Sequence, residues 1–600
     1  GARARTAPIS RRSMRPAAAD GGMAVALGAR MAVPRGSGPM LLKVMALVAL
    51  ACLPLAESVE EEKASATETA VSVMLLGSIG FQMLLFYLVN WPDRDIRKYS
   101  WQVISQTISI FCSVLLFQGF NGLVEAYVIK DGGPYWEVTV DMLQLVVWLT
   151  GMQLVLAVTS GAVNELFTSD VPEMEKVELN VKSWSVLFSH TTGFAAINAW
   201  GSLQQNIFYQ SPLITLIPIP IGWFGLMFMY HGYDNVREYI AMSDDGVKDE
   251  FEHLWDEETE EAEHDVAGLS LSFLTVQTLR FTISGTLPNQ EGIEQWHILS
   301  AHTSAECSRL LTCGLAFFAL SLIPLFLEHR FEAWLHHLPH WWSQKMHRVI
   351  EILNNFATFG NAWCFFFGVK WAVASAGYIH ENALLSVVLA LLLSFFSFCF
   401  IFVFDKVLDN NVFGHSGAEG SPDVASHAVE KLITALGILI GFSWEQCFDT
   451  AVDVVSEGFE ETCPPIVTKL VMSIMLVAIV FPAWRLYILK TEQELNDQSL
   501  AKVVLHTAAG MHRDMFMSKE VDEHALDLAH LKMKHHRRCA LGISHAASTE
   551  GLVHLQVTAS GIRKVESAGG EPGSPAPPHG KKKLDHRSSH LSELTQGLLA

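Results

Sequence analysis

Long apolar runs separated by short charged or proline-bearing stretches organise this chain of 600 residues. A helix needs about 20 mostly apolar residues to cross the hydrocarbon core of a bilayer. Behind an N-terminal leader, eleven runs reach that length: 69–91, 102–128, 138–165, 184–207, 212–233, 267–287, 306–327, 349–375, 383–404, 428–452 and 465–489. Pro134, Pro212, Pro288 and the Pro464–Pro465 pair fall at their ends, where a residue without a backbone N–H does least harm. Pro218 and Pro220 lie inside the fifth run and predict a kink there. The pattern predicts an all-α fold, a polytopic transmembrane helical bundle of 11 spans, or 12 if residues 40–57 form a short first helix.

Four segments recur within these runs. They read FQGFNGLVE around Gln118, INAWGSLQQ around Trp200, GNAWCFFFG around Trp363 and GFSWEQCFD around Trp444, at separations of 82, 163 and 81 residues. The doubled middle interval leaves room for a fifth copy near Arg280, in the sixth run. Each polar segment with the apolar run that follows makes one helical hairpin. The intervals Gln118–Trp363 and Trp200–Trp444, 245 and 244 residues, also allow a duplication into 6+6 halves, a common transporter plan. With a first helix retained, that count and the loop Asp93-Arg94…Arg97-Lys98 are similar to the major facilitator superfamily. The resemblance covers one short loop and the helix count, the glycines expected around the loop motif are missing, and the family is not assigned.

Charge sets the expected orientation. Loops after the odd-numbered runs carry Arg94, Arg97 and Lys98, then Lys176 and Lys182, Arg237 and Lys248, Arg330, Lys345 and Arg348, and Lys406, whereas the opposite side holds Lys63 and Lys130. Positive charge favours the cytosolic side, so these loops and the chain after Lys490 are expected there, in a protein of the secretory pathway or plasma membrane. Residues 1–39 read as a leader or misplaced start, and 40–57 as a signal peptide or short first helix. Residues 58–490 form the transmembrane domain, with a cytosolic acidic loop at 242–266. Residues 491–565 read as a partly helical tail and 566–600 as disordered.

Composition agrees with the pattern. The chain is 50% hydrophobic and 17% charged, with mean hydropathy +0.27, more apolar surface than one soluble core can bury. A net charge of −21 argues against a nucleic-acid partner. Residues 244–265 hold twelve acids against one lysine and offer a docking site for a cytosolic protein partner. Nine scattered cysteines show no CxxC or zinc spacing, and no cofactor is expected. The His336, His337 and His340 cluster, beside Trp334, Trp341 and Trp342, suits an interfacial segment.

Polar groups inside apolar runs are costly and mark pathways or packing partners. Counted from the recurring segments, Glu125 matches Lys370, and Gln205 matches Asp449. These four predict a polar cluster in the outer half of the bundle, or static surface pairs. Arg280 lies deep and needs a partner or water, with Glu445, Asp449 or Glu125 as counter-ion. His190 and Asn198 lie in the fourth run, His190 as a proton relay or a packing histidine. His302 and Glu306, one helical turn apart, are weak metal candidates or the solvated start of a helix. No P-loop, HExxH or nucleophile elbow is present, so an enzyme is not expected. The expected function is a multi-pass transporter or channel for an ion or small polar solute, with the lipid bilayer as its solvent. The alternative is a membrane scaffold or receptor-like protein acting through its acidic loop and tail.

Overall fold

The computed structural model describes residues 66–497, except 131, 164–173, 244–245, 247, 336–339, 378, 380–381, 410–423 and 462, together with a two-residue strand pair, Val557–Thr558 with Gly561–Ile562. The leader, the 40–57 segment, most of the tail, and the side chains of Trp334, His340, Trp341 and Trp342 lie outside the described residues, as do His336 and His337. Among the described residues eleven long helices follow one another: α1 (Ala66–Val89), α2 (Arg94–Val124), α3 (Pro134–Thr159), α4 (Met174–Asn206), α5 (Pro218–Ala241), α6 (Glu250–Ser284), α7 (Ser304–Leu335), α8 (His340–Ser375), α9 (Asn382–Asp409), α10 (Val424–Gly458) and α11 (Pro465–Ala483). Single-turn π segments extend α2 over Glu125–Ile129 and α11 over Trp484–Leu489.

Eight of these helices are long and apolar enough to cross a membrane, which is compatible with an integral membrane protein; α4, α8 and α10 are the three that are not. Their place in the fold explains why. Helices α2, α4, α6, α8 and α10 each pack against the next, and α10 packs back against α2, closing a ring. The other helices lie against the ring: α3 on α4, α5 on α6, α7 on α8, α9 on α10, and α11 on α2, with α1 against α9. A helix surrounded by protein need not be apolar all round, whereas one that faces lipid must be. The outer helices carry the exposed apolar side chains, such as Leu76 on α1, Leu143 on α3, Phe228 on α5, Phe400 on α9 and Ile479 on α11.

The five ring helices run the same way, because contacts pair early residues with early and late with late. Ser185 on α4 donates to the Glu258 carbonyl on α6 at 3.0 Å, and Gln204 donates to Thr278 at 3.1 Å near the far end of the same pair. Gln102 on α2 meets Thr434 on α10 at 3.3 Å. The end where ring helices begin is called lower here, and the end where they finish upper; the lower end is the one read from loop charge as cytosolic. At mid-ring the interior is filled by aromatic rings. Trp363 stacks on Phe442 with centroids 3.8 Å apart and meets Phe273 edge-on at 5.1 Å. Phe194 reaches Phe442 at 6.4 Å, from α4 to α10, which are not neighbours in the ring.

The acidic stretch departs from the sequence expectation. It is helical from Glu250 onward rather than a loop. Asp249 caps the helix, accepting from Glu252 N at 2.8 Å while Glu252 accepts from Asp249 N at 2.9 Å. Acidic residues in a first turn also suit the positive end of the helix dipole. Several of these acids face inward. Glu263 is fully buried, and Arg237, itself 3% exposed, binds Glu263 at 3.1 Å, Asp256 at 3.1 Å and Asp234 at 2.5 Å. Arg348 from α8 joins Asp234 at 2.6 Å and Glu263, with its guanidinium over the Tyr230 ring. Lys248 binds Glu238 and Asp256 at 2.6 and 2.5 Å, and Lys182 pairs with Glu258 and Glu261. Glu257, Glu260 and Glu261 remain exposed.

Candidate functional site

Chemistry-bearing groups collect at the upper end, around the connection between α6 and α7. Gly285, with φ of +77°, ends α6 in the left-handed conformation that favours glycine. The chain then folds back into the mouth of the ring, to the level of Arg280, about one turn below the end of α6. The ring helices hold this backbone through side chains. Gln205 on α4 donates to the Pro288 carbonyl, Gln277 to the Asn289 carbonyl at 2.9 Å, and Arg280 to the Gly292 carbonyl at 3.0 Å. The carbonyl of Gln290 lies against Gly201 on α4. Gly292, at φ +80°, rests on Phe367 and Phe273, and a Cβ there would come within 2.9 Å of the Phe367 ring. Irregular backbone at such a place is tolerated because protein, not lipid, satisfies its polar groups.

Two glutamates on this connection have opposite surroundings. Glu294 is buried and receives Arg280 at 2.8 Å, His302 at 3.2 Å and the Trp371 indole N–H at 2.8 Å. Burial works against ionisation, but the Arg280 guanidinium and the hydrogen bonds from His302 and Trp371 outweigh it and hold the Glu294 carboxyl down at about 2. Arg280 also lies 3.7 Å from the Phe367 ring centroid. Glu291 is open to solvent yet sits down in the mouth with helix ends around it. That enclosure, and then the carboxylates of Asp449 and Glu125, push its carboxyl up to about 7.

Below and beside Glu291 the ring supplies further charge. Glu445 on α10 is 8% exposed, and among the described residues its carboxylate has no hydrogen-bond or ion-pair partner; Asp449, Glu291, Lys370 and Lys469 are the charges in its reach. Asp449 and Asp453 bind Lys469 of α11 at 3.2 and 2.7 Å. Lys370 on α8 donates to Gln446 at 2.7 Å. Glu125, at the start of the π turn that ends α2, accepts from Asn121 at 2.7 Å, and Asn198 on α4 bridges Asn121 at 3.3 Å to Asp141 on α3 at 3.1 Å. Around Glu291 and Glu445 the mouth thus gathers five carboxylates (Glu125, Glu291, Glu445, Asp449, Asp453) against two lysines (Lys370, Lys469).

Of the residues singled out from sequence, the fold brings Glu125, Asn198, Gln205, Arg280, Lys370, Glu445 and Asp449 to this end. Arg280 does not pair with Glu445, Asp449 or Glu125; its counter-ion is Glu294. His190 lies apart, its Nδ1 bonded to the Val186 carbonyl of its own helix at 2.8 Å. His302 is stacked on Trp371 at 3.9 Å between Glu294 and Glu306, and Glu306 accepts from Thr303 N at 2.8 Å as the third residue of a capping box. Both therefore have structural partners, and a metal is not needed to explain their placement. The recurring tryptophans do not converge. Trp200 lies against Gly222 and Gly225 of α5, Trp444 donates to Ser394 of α9 at 2.9 Å, and Trp363 fills the ring.

Sequence reading passed over Glu291 and Glu294. The available signal was Arg280 itself: a buried guanidinium requires a carboxylate within reach of its own helix end, and the short connection after α6 offers two. Comparison with family models, curated proteins and solved structures finds no match to this chain.

Proposed function

We propose that this protein spans the membrane with all eleven long helices and moves an ion or small polar solute along the axis of the five-helix ring. The observation that carries this reading is the ring: five parallel helices, walled from the outside by apolar helices, with a charged mouth above an aromatic constriction. Polar residues that face a bundle interior rather than lipid are the usual lining of a pathway. Rings of carboxylates and apolar constrictions are the usual means of selecting and gating ions. The aromatic set of Phe194, Phe273, Trp363 and Phe442 is the closed point, and the mouth is the waiting room above it.

The same ring favours a fivefold origin over two halves. Each ring helix opens one hairpin, and the 82-residue interval between recurring segments is the length of one hairpin. The excess of loop lysines and arginines at the lower end favours a cytosolic lower end. The work assigned is transport, not catalysis.

The test is reconstitution of the full chain into liposomes, with ion uptake measured against empty vesicles. Flux above background, reduced several-fold by Glu445→Gln and Asp449→Asn and raised by Phe442→Ala, is the expected result. No flux for any small ion, or equal flux in all variants, would overturn the reading.

A further inference from the structure

The mouth of the ring carries a sign as well as a shape, and this deepens the transport reading on which it rests. We propose that the upper mouth is a vestibule that concentrates hydrated inorganic cations, with Glu291, carried on the inward-folded connection, as the carboxylate that faces them.

Three observations support it. The first is placement. The connection meets α4 through Gln205 and Gly201, α6 through Gln277 and Arg280, and α8 through Phe367 and Trp371, while Glu291 faces Asp449 of α10 and Glu125 of α2. One short segment therefore touches three of the five ring helices and lies within electrostatic reach of Asp449 and Glu125 on the other two. The second is a buried carboxylate left without a partner. Glu445 is more than nine-tenths buried and, among the described residues, accepts no hydrogen bond. A buried charge in that state costs several kcal/mol, so Glu445 either keeps its proton or is met by a counter-charge when it ionises. The lysines within reach are engaged elsewhere: Lys469 by Asp449 and Asp453, Lys370 by Gln446. The third is division of labour on the connection. Arg280 is neutralised by Glu294, so the guanidinium does not offset Glu291.

The chemistry points to a cation that keeps its water. These carboxylates come from separate elements, and they do not close into one coordination shell: among the described residues, the group that approaches closely enough for that is Asp93, Asp95 and Asp405, at the lower end. Oxygen ligands that are spaced apart suit a hydrated hard cation drawn by potential rather than chelated.

The test reads the local potential without needing flux. A single cysteine is placed by Glu291→Cys in the full-length protein, with its nine native cysteines, the half-buried Cys463 of the upper end among them, replaced by serine or alanine. Its reaction rates with a cationic and an anionic methanethiosulfonate are followed by intact mass, and their ratio is divided by that of free cysteine. Tyr209→Cys, on the exposed α4–α5 turn, is the reference. The proposal expects a normalised ratio at position 291 about tenfold in favour of the cationic reagent, near the low end of electrostatic focusing. The ratio should fall toward that of Tyr209→Cys when Glu445→Gln and Asp449→Asn are added, and at high salt. A ratio equal to that at Tyr209, or one indifferent to those substitutions, overturns it. If Glu291→Cys does not give a monodisperse protein, Ile293→Cys, two residues on and exposed, takes its place with Glu291 retained. Because the readout is chemical, a strong cation preference in a protein that shows no flux would sink the transport reading and leave the vestibule standing.

Discussion

The two ends of the ring use charge in different ways. At the lower end the cations around Glu263 are paired: Arg237 and Arg348 share Asp234 and Glu263, and Lys182 and Lys248 each hold two carboxylates. Among the described residues of the upper end, carboxylates outnumber cations around Glu291, one of them is buried without a partner, and the segment that carries Glu291 is irregular backbone. Paired charges fix helices in place. The lower end is thus built as a clamp on α4, α5, α6 and α8, and the upper end is where the proposed site lies.

The strongest way to break that contrast is to remove one cation from each end. Arg237→Met leaves the fully buried Glu263 short of a partner and should cost about 3–5 kcal/mol, the range for breaking a buried pair from one side. Lys469→Met at the upper end removes a cation that is 21% exposed and shared with the more open Asp453, and should cost less, about 1–2 kcal/mol. Thermal unfolding in detergent of both variants checks this. Equal losses would mean that the upper charges are structural too.

Acid should separate the ends next. Glu294 is held at about 2, below its ordinary value, so its stabilising contribution is present above pH 4.5 and lost as pH falls from there toward 2. A shift of that size corresponds to roughly 3 kcal/mol. Arg280→Gln should remove most of this acid dependence, which a chemical unfolding series between pH 5 and 3 would register. An unchanged slope would show that Arg280 does not set the Glu294 carboxyl.

How far the sequence went differs between the two ends for a physical reason. Apolar runs are local, so the eleven helices stand where those runs put them. Prolines at their ends were equally legible, and Pro218 proved to open α5 rather than to sit within it. Which helix lies inside the ring depends on contacts far apart in sequence. In hindsight α4, α8 and α10, the least lipid-like of the eleven, announced it. The acidic stretch was misread because a run of acids looks solvated until its cations are found, and Arg237, Arg348 and Lys182 come from three other helices. Glu291 was invisible for the opposite reason: nothing near it in sequence marks a connection that folds back into protein.

The connection itself offers a sharper probe. Gly292→Ala places a Cβ at positive φ and against Phe367, a strain of about 1–3 kcal/mol. If the connection is part of the site and not of the clamp, the variant should retain the lower-end melting behaviour while the normalised reagent ratio at position 291 falls. Loss of global stability beyond that range would place the connection among the structural elements.

The smallest effect is the most specific to the upper end. With its carboxyl raised to about 7, Glu291 is half-protonated near neutral pH, crowded by Asp449, Glu125 and Asp453 and relieved by Lys469. The folded state holds that proton more tightly than the unfolded chain, so stability declines from pH 4.5 up to 7 and is level above it, by less than a shift of that size would bring to a buried group, because Glu291 is open to solvent. The proposed function runs the other way: the carboxylate that would attract a cation forms as pH rises through 7. Cation flux in proteoliposomes should therefore rise about two- to fivefold between pH 6 and 8, a change worth under about 1 kcal/mol, and Glu291→Gln should flatten the rise. The Arg237 cluster at the lower end is salt-bridged on every side and should leave the profile of flux against pH unmoved. A profile that persists in Glu291→Gln would assign the titration to Glu445 or Asp449 beneath it, and would move the selecting carboxylate one step deeper into the ring.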